Sequence, residues 1–133
     1  RVLRRIEESE ELTSRNKRMT LVIAFNYGGR AELADAARSI AREAVAGRLD
    51  PEKVNERVLA RHLYLPDAPD PDLLVRTSGE YRISNYLLWQ LAYAELYFTD
   101  VLWPDFRREH LFEAVRDYQK RERRFGGLDA DHD

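Results

Sequence analysis

The sequence has 133 residues, 44% of them apolar and 35% charged, with a net charge of −2 from 22 basic and 24 acidic side chains. That length supports one domain with a modest core, and the near-neutral balance excludes the basic surface of a nucleic-acid binder, so an anion site must be built locally from a few placed arginines. The absence of cysteine excludes disulfides, thiolate catalysis and Cys-ligated zinc, and no apolar run approaches the ~20 residues of a membrane span.

The chain starts at Arg1, without Met, and Val2, Leu3 and Ile6 already fall at helical spacing, with Leu12 near the end of that helix. The true N-terminus is therefore expected upstream. TLVIAF, Thr20 to Phe25, is short, apolar and rich in Val and Ile, which predicts a buried strand. Asn26-Tyr27-Gly28-Gly29-Arg30 breaks it with a glycine turn. From Ala31 to Ala46, Leu33, Ala37, Ile40 and Ala44 share one helical face, with Glu32, Asp35, Arg42 and Glu43 elsewhere, and Gly47 is a natural stop. Asp50-Pro51 reads as an N-cap and first helical residue, opening a short helix that contains Val54 and Val58. Leu65 to Asp72, LPDAPDPD, cannot be helix interior and leads into a second strand at Leu73-Leu74-Val75. Asn85 to Tyr93 is expected as a helix, Leu96 to Thr99 as a strand, and Phe106 to Arg121 as a last helix capped by Asp105, with Leu111, Val115 and Tyr118 on one face. Residues 127–133 read as a frayed tail.

Strands alternating with helices predict an α/β fold with a mostly parallel sheet flanked by helices. Ligands in such sheets sit outside the C-terminal strand ends, which puts NYGGR and RTSGEYR on one edge. Two or three strands make a poor sheet alone, since parallel strands need both faces covered, so further strands are expected from an upstream part.

RTSGEYRIS, Arg76 to Ser84, concentrates the polar chemistry. Arg76 leaves a buried strand, Arg82 follows a turn, and Ser84 precedes the expected helix. Paired guanidinium forks match diphosphate oxygens, and a helix N-terminus adds free N–H groups; no P-loop pattern is present. The competing reading pairs the arginines with Glu80 or Asp72 and leaves Ser84 as an N-cap. Glu95 lies in the apolar stretch QLAYAELYF, where a carboxylate is costly unless paired or bound to a cation. It is a Mg²⁺ or proton-relay carboxylate, or a structural partner of an arginine, the reading that its surroundings alone favour. Trp89, Tyr93, Tyr97, Phe98 and Trp103 form an aromatic group read as core or dimer interface. His62, His110 and His132 lack metal-ligand spacing, and Asp70 and Asp72 read as turn formers.

FNYGGRAEL, DLLVRTSGEYRISNYLLWQLAYAELYFTDVLWPDF and RRFGG closely resemble the cis-prenyltransferase family, in particular bacterial undecaprenyl diphosphate synthases. The likeness covers nearly the whole chain, as the C-terminal portion of a single domain. The family's early Asp-Gly-Asn-Gly-Arg-Trp segment, which supplies the catalytic Asp and the allylic-diphosphate site, has no counterpart among these residues. The resemblance implies transfer of an allylic prenyl diphosphate, usually farnesyl diphosphate, onto isopentenyl diphosphate, giving a cis-polyprenyl diphosphate such as undecaprenyl diphosphate for the cell-wall lipid carrier. It implies isopentenyl-diphosphate binding by Arg76, Arg82 and Ser84. It implies a reach across a homodimer by the Arg124-Phe125-Gly126 tail motif, with Arg124 and Gly126 toward the diphosphate. It also implies Mg²⁺ as cofactor, with Glu95 as its carboxylate working with the partner subunit. NYGGR is read as mainly structural, with Asn26 near the active site. A cytoplasmic enzyme, touching the inner membrane face through its lipid product and binding no nucleic acid, is expected, this portion alone being inactive. The alternative is a non-catalytic, prenyltransferase-like subunit that acts by dimerisation and diphosphate binding.

Overall fold

The computed structural model describes residues 2–122. Arg124, Gly126, His132 and the expected tail at 127–133 lie outside the described residues. Four α-helices and two strands follow one another: α1 (Val2–Thr13), α2 (Gly29–Val45), α3 (Glu56–Ala60), β1 (Leu73–Arg76), β2 (Glu95–Phe98) and α4 (Arg108–Gln119). β1 and β2 pair in parallel with Leu73 opposite Glu95 and Arg76 opposite Phe98. The expected parallel sheet with flanking helices is thus present, with β2 against α4 and α2 against α3.

Each boundary has a local cause. α2 ends where Gly47 adopts φ +68 and donates to Ala44 O at 3.0 Å, the left-handed stop that glycine allows. Asp50 does accept from Glu52 N–H, but the turn it caps is only a 3₁₀ turn, Pro51–Lys53. Val54 is extended there, and a second cap, Asn55 accepting from Val58 N–H at 3.0 Å, starts α3. The single short helix expected from Asp50 is therefore two elements. The last helix also starts later than expected. Trp103–Asp105 forms a 3₁₀ turn, and the N–H of Arg107 donates to His110 Nδ1 at 2.9 Å to open α4. Its buried residue is Ala114, while Leu111 and Val115 are exposed.

Three further expectations are corrected. Thr20 to Phe25 runs without a ladder partner among the described residues, and Leu21, Ile23 and Phe25 are exposed. An apolar run becomes a strand only where another strand's N–H and C=O groups meet its own. Residues 85–93 form successive turns rather than a helix. Ser84, Asn85 and Leu87 take positive φ values of 50°, 62° and 44°, which interrupts the α-helical ladder. Of the two readings of the aromatic group, core and dimer interface, the single core does not form: Tyr93 is exposed, and the exposed Trp103 stacks on Phe106 at 6.1 Å.

Among the described residues the buried apolar side chains are Ala36, Leu63, Leu91 and Ala114, and the Glu32 side chain is buried as well. His62 ties α3 to α2, its Nδ1 lying 2.8 Å from Val58 O and its Nε2 3.4 Å from Glu43.

Candidate functional site

β1 ends at Arg76, and the chain then crosses the C-terminal edge of the sheet. Ser78 N–H donates to Val101 O at 2.9 Å and Gly79 N–H to Thr99 O at 3.0 Å, binding this turn to the segment that leaves β2. Ser78 and Gly79 both hold left-handed φ values, 67° and 65°. A Cβ on Gly79 would stand 3.1 Å from Asp100 Oδ1, so the turn accepts glycine on both counts.

Arg76 is half-buried, and its Nε is buried with no hydrogen-bond partner. A buried, unpaired guanidinium donor is unfavourable in the free protein and calls for a ligand oxygen or water. It lines a cleft of about 250 Å³ with Leu74, Val75, Ile83 and Tyr86. Ile83 lies between Arg82 and Ser84 in the chain, so the cleft joins the strand end to the second half of the loop. Arg82 is mostly exposed and ion-pairs with Glu80. Ser84 is exposed, and the turns after it offer no helix N-terminus. The helix-dipole contribution expected at Ser84 is therefore replaced by a loop held from outside.

That hold comes from α2. Gly29 N–H donates to Asn85 O at 2.7 Å and Arg30 N–H to Asn85 Oδ1 at 2.9 Å. One turn further along, the Glu32 carboxylate, 2% exposed, accepts from Tyr64 N–H at 3.0 Å, Gln90 Nε2 at 3.2 Å and the Tyr27 hydroxyl. Tyr27 packs edge-on against Tyr86 at 5.6 Å between ring centres. NYGGR thus meets Asn85 and Tyr86, in the segment after RTSGEYR; the sheet edge expected to carry both glycine turns presupposed a strand at Thr20 to Phe25, which does not form among the described residues. Sequence reasoning missed Glu32, which it assigned to the polar face. The available signal was Gly29, Glu32 and Ala36 at i, i+3 and i+7, a close-packing face marked by small residues.

Burial, and then the hydrogen bond to the Glu32 carboxylate and its charge, push the Tyr27 phenol well above its ordinary range. A raised folded-state value means that the stability it brings is complete below about pH 10 and is lost as pH rises through the folded value. Melting temperature is expected to fall above about pH 10, and Tyr27→Phe should flatten that decline. An equally steep decline in the variant would assign it to other groups. Tyr64, raised by its bond to Asp35, is exposed and contributes less through solvent screening.

Glu95 stands at the other end of the sheet. It opens β2 opposite Leu73, three register positions from Phe98 and Arg76, about 10 Å along the strands. Its Oε2 accepts from Arg121 Nη1 at 2.8 Å, and Arg121 also binds Asp117. Glu95, then Asp117, raise the Arg121 guanidinium further above its ordinary range. The structure brings Arg76 and Ile83 together but not Glu95 with them. Among the described residues no group of three His, Cys, Asp or Glu side chains could hold a metal ion.

The chain matches the family model described as putative undecaprenyl diphosphate synthase over residues 1–126, and it belongs to that family. It is 55% identical over 128 residues to the trans,polycis-polyprenyl diphosphate synthase ((2Z,6E)-farnesyl diphosphate specific) of Thermobifida fusca, covering 96% of this chain and 45% of that one. It is 56% identical over 126 residues to isoprenyl transferase 1 of Streptomyces coelicolor, covering 95% of this chain and 46% of the relative. Among solved structures, lavandulyl diphosphate synthase from Lavandula x intermedia, in complex with dimethylallyl diphosphate, superposes with a TM-score of 0.87 at 42% identity, over 91% of this chain and 52% of that one. A probable undecaprenyl diphosphate synthase from Campylobacter jejuni gives 0.76 at 34% identity, over 94% and 56%. The chain spans about half the length of these relatives.

Proposed function

We propose that this chain holds isopentenyl diphosphate for a cis-prenyl transfer. The observation that carries the reading is the buried, unpartnered Nε of Arg76, in a cleft whose other walls are Leu74, Val75, Ile83 and Tyr86. A fixed cation beside apolar side chains suits a small molecule with an anionic head and a short hydrocarbon body. Arg76 and Arg82 take the diphosphate, Ser84 adds a hydroxyl, and the hydrocarbon lies toward Ile83 and Tyr86.

In the reaction, the allylic C–O bond of the prenyl diphosphate breaks as the terminal alkene of isopentenyl diphosphate attacks the allylic carbon. Diphosphate departs with the electron pair of that bond, and the carbon next to the new tertiary cation then loses a proton to an oxygen of the released diphosphate. Holding the alkene in line converts the encounter into an intramolecular one. The arginines supply fixed positive charge without reorganisation. The leaving group is the task of the family's Asp-Gly-Asn-Gly-Arg-Trp segment, so this chain by itself binds isopentenyl diphosphate without turning it over. With that segment the product is a cis-polyprenyl diphosphate, undecaprenyl diphosphate in the bacterial setting, made by a cytoplasmic homodimer near the inner membrane face. Arg124 and Gly126 belong to the same reading, as the tail that reaches across the dimer. No helix among the described residues is long and apolar enough to cross a membrane.

Mg²⁺ enters this reading on the diphosphate, since the ion is commonly bound by one or two carboxylates plus substrate phosphates. Glu95 of a second copy is the carboxylate assigned to it. The test is titration with isopentenyl diphosphate at rising Mg²⁺. Glu95→Gln should flatten the dependence of affinity on Mg²⁺. An unaltered Mg²⁺ dependence with a lowered melting temperature would make Glu95 the structural partner of Arg121 alone.

A further inference from the structure

Asn85 is the residue at which α2 and the arginine-bearing loop are hydrogen-bonded. The N–H groups of Gly29 and Arg30 lie in the first turn of α2, where no intrahelical acceptor exists. The residue at the cap position, Gly28, makes no side-chain cap bond. Asn85 fills that role from 55 positions further along the chain, its Oδ1 taking Arg30 N–H and its carbonyl oxygen taking Gly29 N–H.

The contact has no slack. A Cβ at Gly29 would stand 2.7 Å from Leu88 Cγ and 3.2 Å from Asn85 O, and one at Gly28 would stand 2.8 Å from Asn85 Nδ2. Asn85 also holds φ 62°, a conformation that asparagine tolerates better than most residues. Ser84 is its chain neighbour, itself at φ 50°, and Arg82 precedes them by a short link. Where Asn85 is anchored decides where both of those side chains stand.

We propose that Asn85 is a positioning residue: by capping α2 from a distance, it fixes the loop that presents Arg82 and Ser84 to the diphosphate. This rests on the isopentenyl-diphosphate reading above. It assigns the first turn of α2 a second task, as the rigid wall against which the loop is set.

The test is calorimetric titration of the full chain with isopentenyl diphosphate, with melting temperature recorded for each protein. Asn85→Gly permits the left-handed backbone and leaves the carbonyl oxygen that takes Gly29 N–H, but removes the whole side chain, Oδ1 included. It is expected to weaken binding by about five- to tenfold. Asn85→Asp restores an acceptor opposite Arg30 N–H and should bind about threefold or more tighter than Asn85→Gly, despite its added negative charge. Gly29→Ala raises helix propensity but drives a methyl group into Leu88, so it should weaken binding about as much as Asn85→Gly. Should Asn85→Gly fail to fold, the Asp and Gly29→Ala proteins decide. Binding within twofold of the unsubstituted protein in both Asn85→Gly and Gly29→Ala, or no recovery with Asp, overturns the proposal. Arg82→Ala is the control for the underlying reading. If it leaves affinity unchanged, or the unsubstituted chain does not bind, both fall; if it weakens binding and the Asn85 and Gly29 variants do not, only the positioning role falls.

Discussion

Arg76→Ala is expected to raise the dissociation constant for isopentenyl diphosphate by about ten- to a hundredfold, the loss of charge-assisted bonds worth roughly 1.5–3 kcal/mol. The size follows from the state of the side chain before ligand arrives. Its Nε is buried and no protein group accepts from it, so a bound diphosphate supplies an acceptor that the fold itself does not. Truncation sacrifices no protein hydrogen bond at that atom, and the melting temperature should hold. Arg82 differs: it is mostly exposed and already paired with Glu80, so a diphosphate must compete with that carboxylate. Its removal should weaken binding by less, about tenfold at most. Parallel titrations of the unsubstituted, Arg76→Ala and Arg82→Ala proteins check the order. Equal affinity in all three would remove the arginines from the site.

Glu32→Ala should be the most damaging single change to stability. The carboxylate is 2% exposed and accepts from Tyr27, the Tyr64 backbone and Gln90. Alanine leaves those donors facing a cavity, a loss of about 3 kcal/mol, or roughly 10–15 °C in melting temperature. Glu32→Gln keeps the volume and one carbonyl acceptor and should lie between. The fluorescence- or CD-monitored melt decides, and a fall of only a degree or two in the alanine variant would mean that solvent enters and satisfies the donors. The network joins α2, the loop after α3 and the segment following the arginine loop, so its failure would also loosen the candidate site.

Much of this was legible in the residues because the signals are local. Gly47 as a helix stop and Asp50 as a cap need no tertiary partner, although the turn that Asp50 caps ends at Lys53 and does not continue as the expected helix, and the Pro- and Asp-rich run before Leu73 points directly to a strand start. Arg76 and Arg82 stand out as fixed cations in a glycine turn at a strand end, but the residues alone left open whether they meet an anion or pair with Glu80 or Asp72, and Arg82 does pair with Glu80. The parts that were not legible depend on distant chain. Thr20 to Phe25 has strand composition, but pairing is a property of two segments. Residues 85–93 have helical composition, yet Asn85 is drawn to cap α2 and its left-handed backbone breaks the ladder. Glu32 reads as a surface carboxylate until Tyr27, Tyr64 and Gln90 are brought around it from three places in the sequence. Glu95 and Arg121 are a pair that spacing alone could not single out, since 26 positions separate them.

Residues 74–86 are proposed to hold a five-carbon diphosphate, recognised at both its head and its hydrocarbon. Titration calorimetry of the unsubstituted chain, comparing isopentenyl diphosphate with isopentenol, tests it most directly. One saturable site per chain is expected for the diphosphate and none for the alcohol at the same concentrations. No saturable heat with isopentenyl diphosphate, or equal binding of the alcohol, would contradict it.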